Sequence, residues 1–163
     1  MILVSACLLG QKVKYDGGAN PQELLMAAED KGRFVPVCAE CAGGLPVPRN
    51  PVEIHQGTGK DVLQGRSAVC EASGNAHTVE FIHGAEAVLE TAKKHHANVA
   101  ILKESSPSCG VHTIYDGTFS HTKLEGQGVC AALLKQNGIR LYSEKDITPE
   151  LMTELLEEDA REN

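Results

Sequence analysis

Short apolar runs alternate with amphipathic stretches along the chain. Four of the runs have the length and composition of buried strands. They cover Ile2 to Ala6, Arg33 to Val37, Asn98 to Leu102 and Ile139 to Tyr142. Four helices are predicted. The first runs from Asn20-Pro21 to Ala28, and the second begins at an N-cap at Thr78, with apolar positions Val79, Ile82, Ala85, Leu89 and Ala92. The third runs from Gly126-Gln127-Gly128 to near Gly138, and the fourth follows Thr148-Pro149.

Strands that alternate with helices at this spacing predict a doubly wound α/β fold, Rossmann-like, with a mainly parallel sheet. The length of 163 residues is consistent with one domain, residues 1–163. Asp116-Gly117, between Thr113 to Tyr115 and Thr118 to Ser120, predicts a small β-hairpin decoration. Glycines and prolines make Ala39 to Gly65 a predicted long loop.

The charge balance argues against nucleic acid as a partner. The net charge is -7, from 15 basic and 22 acidic residues, and no basic patch is present to contact phosphates. No apolar run approaches the roughly 20 residues that cross a bilayer, and the first residues do not resemble a secretory leader. A cytoplasmic protein without a membrane partner is therefore expected.

Six cysteines become informative in that compartment, because cytoplasmic thiols stay reduced and serve metal binding or catalysis more often than disulfides. Cys7, Cys38 and Cys109 follow three different predicted strands. In a parallel sheet, the carboxyl ends of the strands meet at the edge where ligands bind. We therefore expect these three thiols to converge, and we interpret Cys70 and Cys130 as small buried hydrophobic residues.

Two other interpretations of the cysteines exist. Cys38 with Cys41 forms a C-x-x-C, and Cys109 with His112 forms a C-x-x-H, which together make a possible structural zinc site. That set leaves Cys7 without a role. A redox pair at Cys38 and Cys41 is less favoured, because no helix is predicted to begin at Cys38 and lower its pKa.

Several motifs in the same order resemble those of the 2-thiouracil desulfidase family, over nearly the whole chain. They are Ser5-Ala6-Cys7-Leu8-Leu9-Gly10, Tyr15-Asp16-Gly17, Cys38-Ala39-Glu40, Gly43-Gly44-Leu45-Pro46 with Pro48-Arg49, Ser106-Pro107-Ser108-Cys109-Gly110 and Tyr115-Asp116-Gly117-Thr118-Phe119. The chain departs from the family at Ala39, where a proline is usual, and at the additional Cys41.

The resemblance implies an enzyme with a [4Fe-4S] cluster. Cys7, Cys38 and Cys109 would ligate three irons, and the fourth iron would lack a protein ligand. The implied substrate is a thiolated pyrimidine such as 2-thiouracil, whose soft sulfur suits iron. The implied reaction is non-redox hydrolysis that releases hydrosulfide, with Glu40 and Ser106 as catalytic residues.

The residues around the motifs leave some roles open. Ser105 and Ser108 have the same chemistry as Ser106, and Asp16 is as consistent with a turn as with a ligand contact. Arg49 either binds an anionic group or pairs with a carboxylate that shapes the long loop. A structural zinc module without catalysis, and a cluster protein that stores or delivers sulfide, remain the alternative functions.

Overall fold

The computed structural model describes residues 1–162, and its centre is a sheet of four parallel strands. The order across the sheet is β2 (Phe34–Val37), β1 (Ile2–Ser5), β5 (Val99–Leu102) and β8 (Arg140–Ser143). All residues of β1 and β5 are buried, as expected for the inner strands of a parallel sheet. The predicted parallel α/β fold and its four central strands are confirmed.

Helices cover both faces of this sheet. They are α1 (Glu23–Ala27), α2 (Ala39–Ala42), α3 (Gly59–Leu63), α4 (Thr78–Lys94), α5 (Val129–Gln136) and α6 (Pro149–Glu162). Side chains alternate between faces along a strand. Leu3 therefore packs in the cluster that contains residues of α4 and α5, whereas Ile2 and Val4 pack with residues of α1 and α6.

Two antiparallel hairpins lie outside the sheet, where one had been predicted. The pair β6 (Thr113–Tyr115) and β7 (Lys123–Glu125) shows that the predicted second strand, Thr118 to Ser120, was wrong. Asp116 Oδ1 accepts hydrogen bonds from the Thr118 amide and hydroxyl, so residues after the Asp-Gly dipeptide form a wider loop instead of pairing.

The second hairpin corrects the prediction of a long loop at Ala39 to Gly65. This segment contains α2, β3 (Val52–His55) and α3, and β3 pairs with β4 (Ala68–Glu71). Its glycines and prolines lie mostly between these short elements and so do not interrupt them. The Glu53 carboxylate joins the two hairpins by accepting from the Gly117 amide at 2.9 Å and the Phe119 amide at 3.2 Å.

The order of the central strands creates a switch point between β1 and β5. The chain passes from β1 to β2 on one side and then returns across β1 to form β5 on the other. Ligands of open α/β sheets bind outside the carboxyl ends of the strands at such a point. The segments that follow β1, β2 and β5 are therefore the first place to look for a site.

Close packing of α2 against α4 fixes the segment that follows β2. A Cβ added at Gly84 would lie 1.9 Å from the Ala39 carbonyl oxygen, and one added at Gly43 would lie 2.0 Å from the Glu80 carbonyl oxygen. Only glycine permits this approach of the two backbones.

No helix among residues 1–162 is long and apolar enough to cross a membrane.

Candidate active site

Cys7 lies in a single 3₁₀ turn, Ala6–Leu9, directly after β1. The turn ends at Gly10, whose φ of 89° is in the left-handed region that favours glycine. The Cys7 carbonyl accepts from the Asn20 amide at 2.9 Å, so the backbone at this cysteine is fixed from the opposite side of the loop. The Cys7 side chain is buried, and burial raises its pKa to about 11, although the Lys103 charge opposes this shift.

Cys38 is the N-cap residue of α2, and this corrects the expectation that no helix begins there. Burial nevertheless raises the pKa of Cys38 to about 12, and interaction with the Cys41 thiol adds to that shift. One helical turn does not offset the loss of solvent around the thiolate. A redox pair with an activated thiolate is therefore not supported.

Cys109 is carried by a loop that is bonded to the start of α5. Three amides of the first turn of α5 donate to this loop: Val129 to the Pro107 carbonyl, and Cys130 and Ala131 to the Ser108 carbonyl. These are helix N-terminal donors that have no partner within their own helix. The loop thereby caps α5, and α5 in turn holds Cys109 at the end of the sheet.

Glycine is required where this loop meets α5. A Cβ on Gly128 would lie 2.5 Å from the carbonyl carbon and oxygen of Ser108. Cys109 itself is buried, and burial raises its pKa well above the ordinary value, with further contributions from Cys130, Glu40 and Cys38.

The Glu40 carboxylate is the common neighbour of the predicted cysteines. After burial, its charge is among the causes that raise the pKa of Cys7, Cys38 and Cys109. Glu40 is on the first turn of α2, two residues after Cys38. Hydrogen bonds link it to the other two loops: Arg49 joins Glu40 to the Val13 carbonyl, in the segment after β1, and Ser106 of the Cys109 loop lies 3.5 Å from Glu40 Oε1.

Arg49 and Ser106 hold the Glu40 carboxylate from two sides. Arg49 Nη2 donates to Glu40 Oε2 at 2.5 Å and to the Val13 carbonyl at 3.0 Å. Ser106 Oγ lies 3.5 Å from Glu40 Oε1. Of the two open roles for Arg49, the structure thus shows pairing with a carboxylate.

The three serines of the Cys109 loop have different environments. Ser106 Oγ accepts from the amides of Ser108 and Cys109, which leaves its hydroxyl proton for Glu40. Ser105 Oγ bonds to Thr113 Oγ1 at 3.0 Å. Ser108 Oγ is buried and has no hydrogen-bond partner among the described residues. Only Ser106 is hydrogen-bonded to the carboxylate.

The proposed zinc set is not brought together. His112 is 57% exposed, and its ring Nε2 lies 2.8 Å from Asp146 Oδ2. Among residues 1–162, no three or more His, Cys, Asp or Glu side chains are arranged to hold a single metal ion. A four-iron cluster is larger than one ion, so its thiolate ligands lie farther apart than those of a zinc ion.

The remaining sequence predictions have mixed outcomes. Asp16 is a turn residue, since its Oδ1 accepts from the Gly18 amide at 2.8 Å. Cys130 is buried as expected, but it also interacts with Cys109. Cys70 is only partly buried, because side chains alternate along β4 and it is the preceding residue, Val69, that packs into the core. A surface cavity of about 670 Å³ contains none of the predicted site residues and lies at the opposite edge, beside Asn98 and Ile139.

The donor chemistry fits an iron-sulfur cluster better than it fits free thiolates. Cys7, Cys38 and Cys109 are free thiols, and burial raises the pKa of each, so without a metal they remain protonated at neutral pH. Thiolates in such a place need a nearby cation, and soft thiolate ligands favour iron-sulfur clusters, zinc or Cu(I). The three loops are also anchored by backbone hydrogen bonds without any metal.

Comparisons with known proteins agree with this arrangement. A family model described as 2-thiouracil desulfurase matches residues 2–146. The Bacillus subtilis (strain 168) protein YbbK, described as uncharacterized, is 46% identical over 147 residues, which are 90% of this chain and 97% of YbbK. The solved structure of the [4Fe-4S]-dependent thiouracil desulfidase TudS matches with a TM-score of 0.83 and 42% identity, covering 94% of this chain and 96% of that one.

The matched residues contain the three cysteine loops together with Glu40, Arg49 and Ser106. The order of these motifs, the parallel sheet that carries them and the match over nearly the whole chain lead to one assignment. This chain belongs to the 2-thiouracil desulfurase family.

Proposed function

We propose that this protein is a cytoplasmic [4Fe-4S]-dependent enzyme that replaces the sulfur of a thiolated pyrimidine, such as 2-thiouracil, with oxygen from water. The reaction is a hydrolysis: a thiocarbonyl and water become a carbonyl, hydrosulfide and a proton, with no net electron transfer. The observation that carries the proposal is that Cys7, Cys38 and Cys109 follow the neighbouring parallel strands β1, β2 and β5, and that Glu40 is hydrogen-bonded to Arg49 and Ser106 at the same end of the sheet. The likeness to TudS supports both the cofactor and the substrate class.

Cys7, Cys38 and Cys109 are the proposed ligands of the cluster. Three protein thiolates on four irons leave one iron without a protein ligand. When bound, the cluster would supply a Lewis-acidic iron with affinity for a soft thiocarbonyl sulfur. The polypeptide then has to position water, move protons and exclude competing ligands.

Glu40 is the proposed acid-base residue. Arg49 engages Glu40 Oε2, which leaves Oε1 for a proton from the attacking water and for the Ser106 hydroxyl. Ser106 is the proposed second catalytic residue: its lone pairs accept two backbone amides, so its hydroxyl is fixed as a donor. A carboxylate and a hydroxyl oriented in this way suit proton transfer during addition to a thiocarbonyl carbon.

Anaerobic reconstitution with iron and sulfide tests the proposal. The wild-type protein should bind iron and sulfide and convert 2-thiouracil to uracil with release of hydrosulfide. Cys7→Ala, Cys38→Ala and Cys109→Ala should each lose the iron, whereas Cys70→Ala and Cys130→Ala should retain it. Iron bound without turnover would favour sulfide storage, and stoichiometric zinc in place of iron would favour the zinc module.

A further inference from the structure

A carboxylate that the sequence motifs do not include lies at the base of the Cys109 loop. Glu104 follows β5 by two residues and is 3% exposed. Its Oε1 accepts from four backbone amides: Ser105 at 3.2 Å, Val111 at 2.9 Å, His112 at 2.9 Å and Thr113 at 3.0 Å. These donors come from both ends of the segment that contains Ser106 and Cys109. One oxygen atom therefore closes the loop.

The charge of Glu104 is compatible with its burial. Burial favours the neutral acid, but the backbone amides outweigh this effect and hold the pKa of Glu104 below its ordinary value. Hydrogen bonds to an ionised acceptor are about twice as strong as those between neutral groups. The loop is thus closed by charge-assisted hydrogen bonds and not by packing alone.

Neighbouring groups fix Glu104 in turn. Its backbone amide donates to Glu144 Oε1 at 2.7 Å, and its carbonyl accepts from Lys103 Nζ at 2.9 Å. Ser105, at the start of the loop, has a φ of 63°, a conformation that residues other than glycine seldom adopt. A strained backbone persists only where surrounding contacts hold it, and the Glu104 carboxylate is one such contact at Ser105.

We propose that Glu104 is a positioning residue, whose carboxylate holds residues 105–113 in the conformation that directs Ser106 to Glu40 and Cys109 to the other two cysteines. Glu104 bonds only to the backbone of this loop and so acts through Ser106 and Cys109. The loop-closing part stands on the hydrogen bonds alone, whereas the effect on turnover rests on the function proposed above.

Amide hydrogen exchange of the iron-free protein tests loop closure. In the wild type, the amides of Ser105, Val111, His112 and Thr113 should be protected although three of them are outside any strand or helix. Glu104→Gln keeps the size of the side chain and removes its charge, and should speed exchange of these four amides by about tenfold or more. Unprotected amides in the wild type would overturn the proposal even if the variant fails to fold.

Asp159→Asn is the matched control. Asp159 is also a buried carboxylate, but it pairs with the Met1 ammonium at 2.6 Å and with Arg33 Nη1 at 3.3 Å, beyond the opposite edge of the sheet. Its replacement should lower stability without selectively exposing the four loop amides. Equal exposure of these amides in both variants would show a general loss of stability and would overturn the specific role of Glu104.

The turnover of the loaded enzyme tests the second part. Glu104→Gln should lower kcat per cluster by about tenfold or more and change KM less, because misplacement of Ser106 affects proton transfer more than substrate binding. A general fold defect would lower the number of loaded molecules but not kcat per cluster. Exposed amides with an unchanged kcat would overturn the positioning role. If the wild type bound no iron, the proposed function would fail while the exchange result still decided loop closure.

Discussion

At the scale of single residues, Glu40 makes two kinds of contact. One is an ion pair typical of a structural carboxylate, and the other is with a proposed catalytic residue. Its carboxylate pairs with Arg49, as a structural acid does, and it is also hydrogen-bonded to Ser106 in the loop that carries Cys109. Ion pairing holds one oxygen in place and leaves the other for the proton transfer that we propose. An acid-base residue positioned in this way is worth on the order of a hundredfold to ten-thousandfold in rate.

Glu40→Gln should therefore retain the proposed cluster and lose most of the desulfuration. The amide keeps the shape of the side chain but carries no titrating proton. Turnover of 2-thiouracil per cluster measures the effect, with iron and sulfide determined for each variant. Ser106→Ala is the companion change, and Ser120→Ala, on the exposed loop of the β6–β7 hairpin, is the control that should leave turnover unchanged. Near-normal turnover in Glu40→Gln would remove Glu40 from the mechanism.

The sequence predicted some of these residues and missed others for physical reasons. Glu40 and Ser106 stand within motifs next to cysteines, so their neighbourhood could be inferred. The partner of Arg49 could not, because its pairing with Glu40 depends on how residues 41 to 48 turn back. Glu104 was missed since a lone glutamate is ordinarily a surface residue. Its place directly after a buried strand was the available signal.

At the scale of elements, the position of α2 is set by its close approach to α4. This short helix begins at Cys38 and carries Glu40, so its place determines where a proposed ligand and a proposed catalytic residue lie. Gly43, the C-cap residue of α2, and Gly84, within α4, permit that approach. The two glycines thereby affect the site although neither is one of the proposed site residues.

Gly84→Ala should destabilise the protein and reduce iron binding. In an exposed helix interior, alanine in place of glycine stabilises by roughly 0.5–1 kcal/mol. Here the added methyl group meets the Ala39 carbonyl oxygen, and overpacking of this kind costs about 1–3 kcal/mol. Urea unfolding of the iron-free protein and iron content after reconstitution measure the two effects. Glu86→Ala, on the exposed face of α4, is the control, and a more stable Gly84→Ala variant would contradict the argument.

The elements that the sequence missed are short and, unlike β1, β2 and β5, which are no longer, they are not continuous apolar runs. Strands β3 and β4 and helices α2 and α3 have four or five residues each, too few to show a periodicity of hydrophobic positions. They form because tertiary contacts hold them, as when the Gly59 amide donates to the Gln127 carbonyl at 2.7 Å. The buried central strands and α4 gave stronger patterns and were predicted to within one or two residues.

At the scale of the whole molecule, the apolar core is extensive enough that we expect the fold to form without a metal. The core on both faces of the central sheet is built from aliphatic residues and Phe81, and a chain of this length buries about two-thirds of its surface when folded. Cysteines contribute to this core as small apolar groups. The sheet and its helices therefore supply enough buried surface before any cluster is added.

Removal of iron should accordingly leave the protein folded. We expect the chelator-treated protein to keep its far-UV circular dichroism and to unfold in one cooperative urea transition, unlike small domains that fold only with metal. A single transition would also agree with the prediction that residues 1–163 form one domain. The loss of cooperative unfolding after chelation would show instead that the metal organises the fold.

The strand order also determines when such a site can arise during protein synthesis. Cys7 and Cys38 leave the ribosome early, but Cys109 and the first turn of α5 that anchors its loop follow much later. Until β5 pairs with β1, the early cysteines face an edge that is still missing its third loop. A cluster held by these three cysteines, as we propose, would therefore assemble on the folded protein and not on the growing chain.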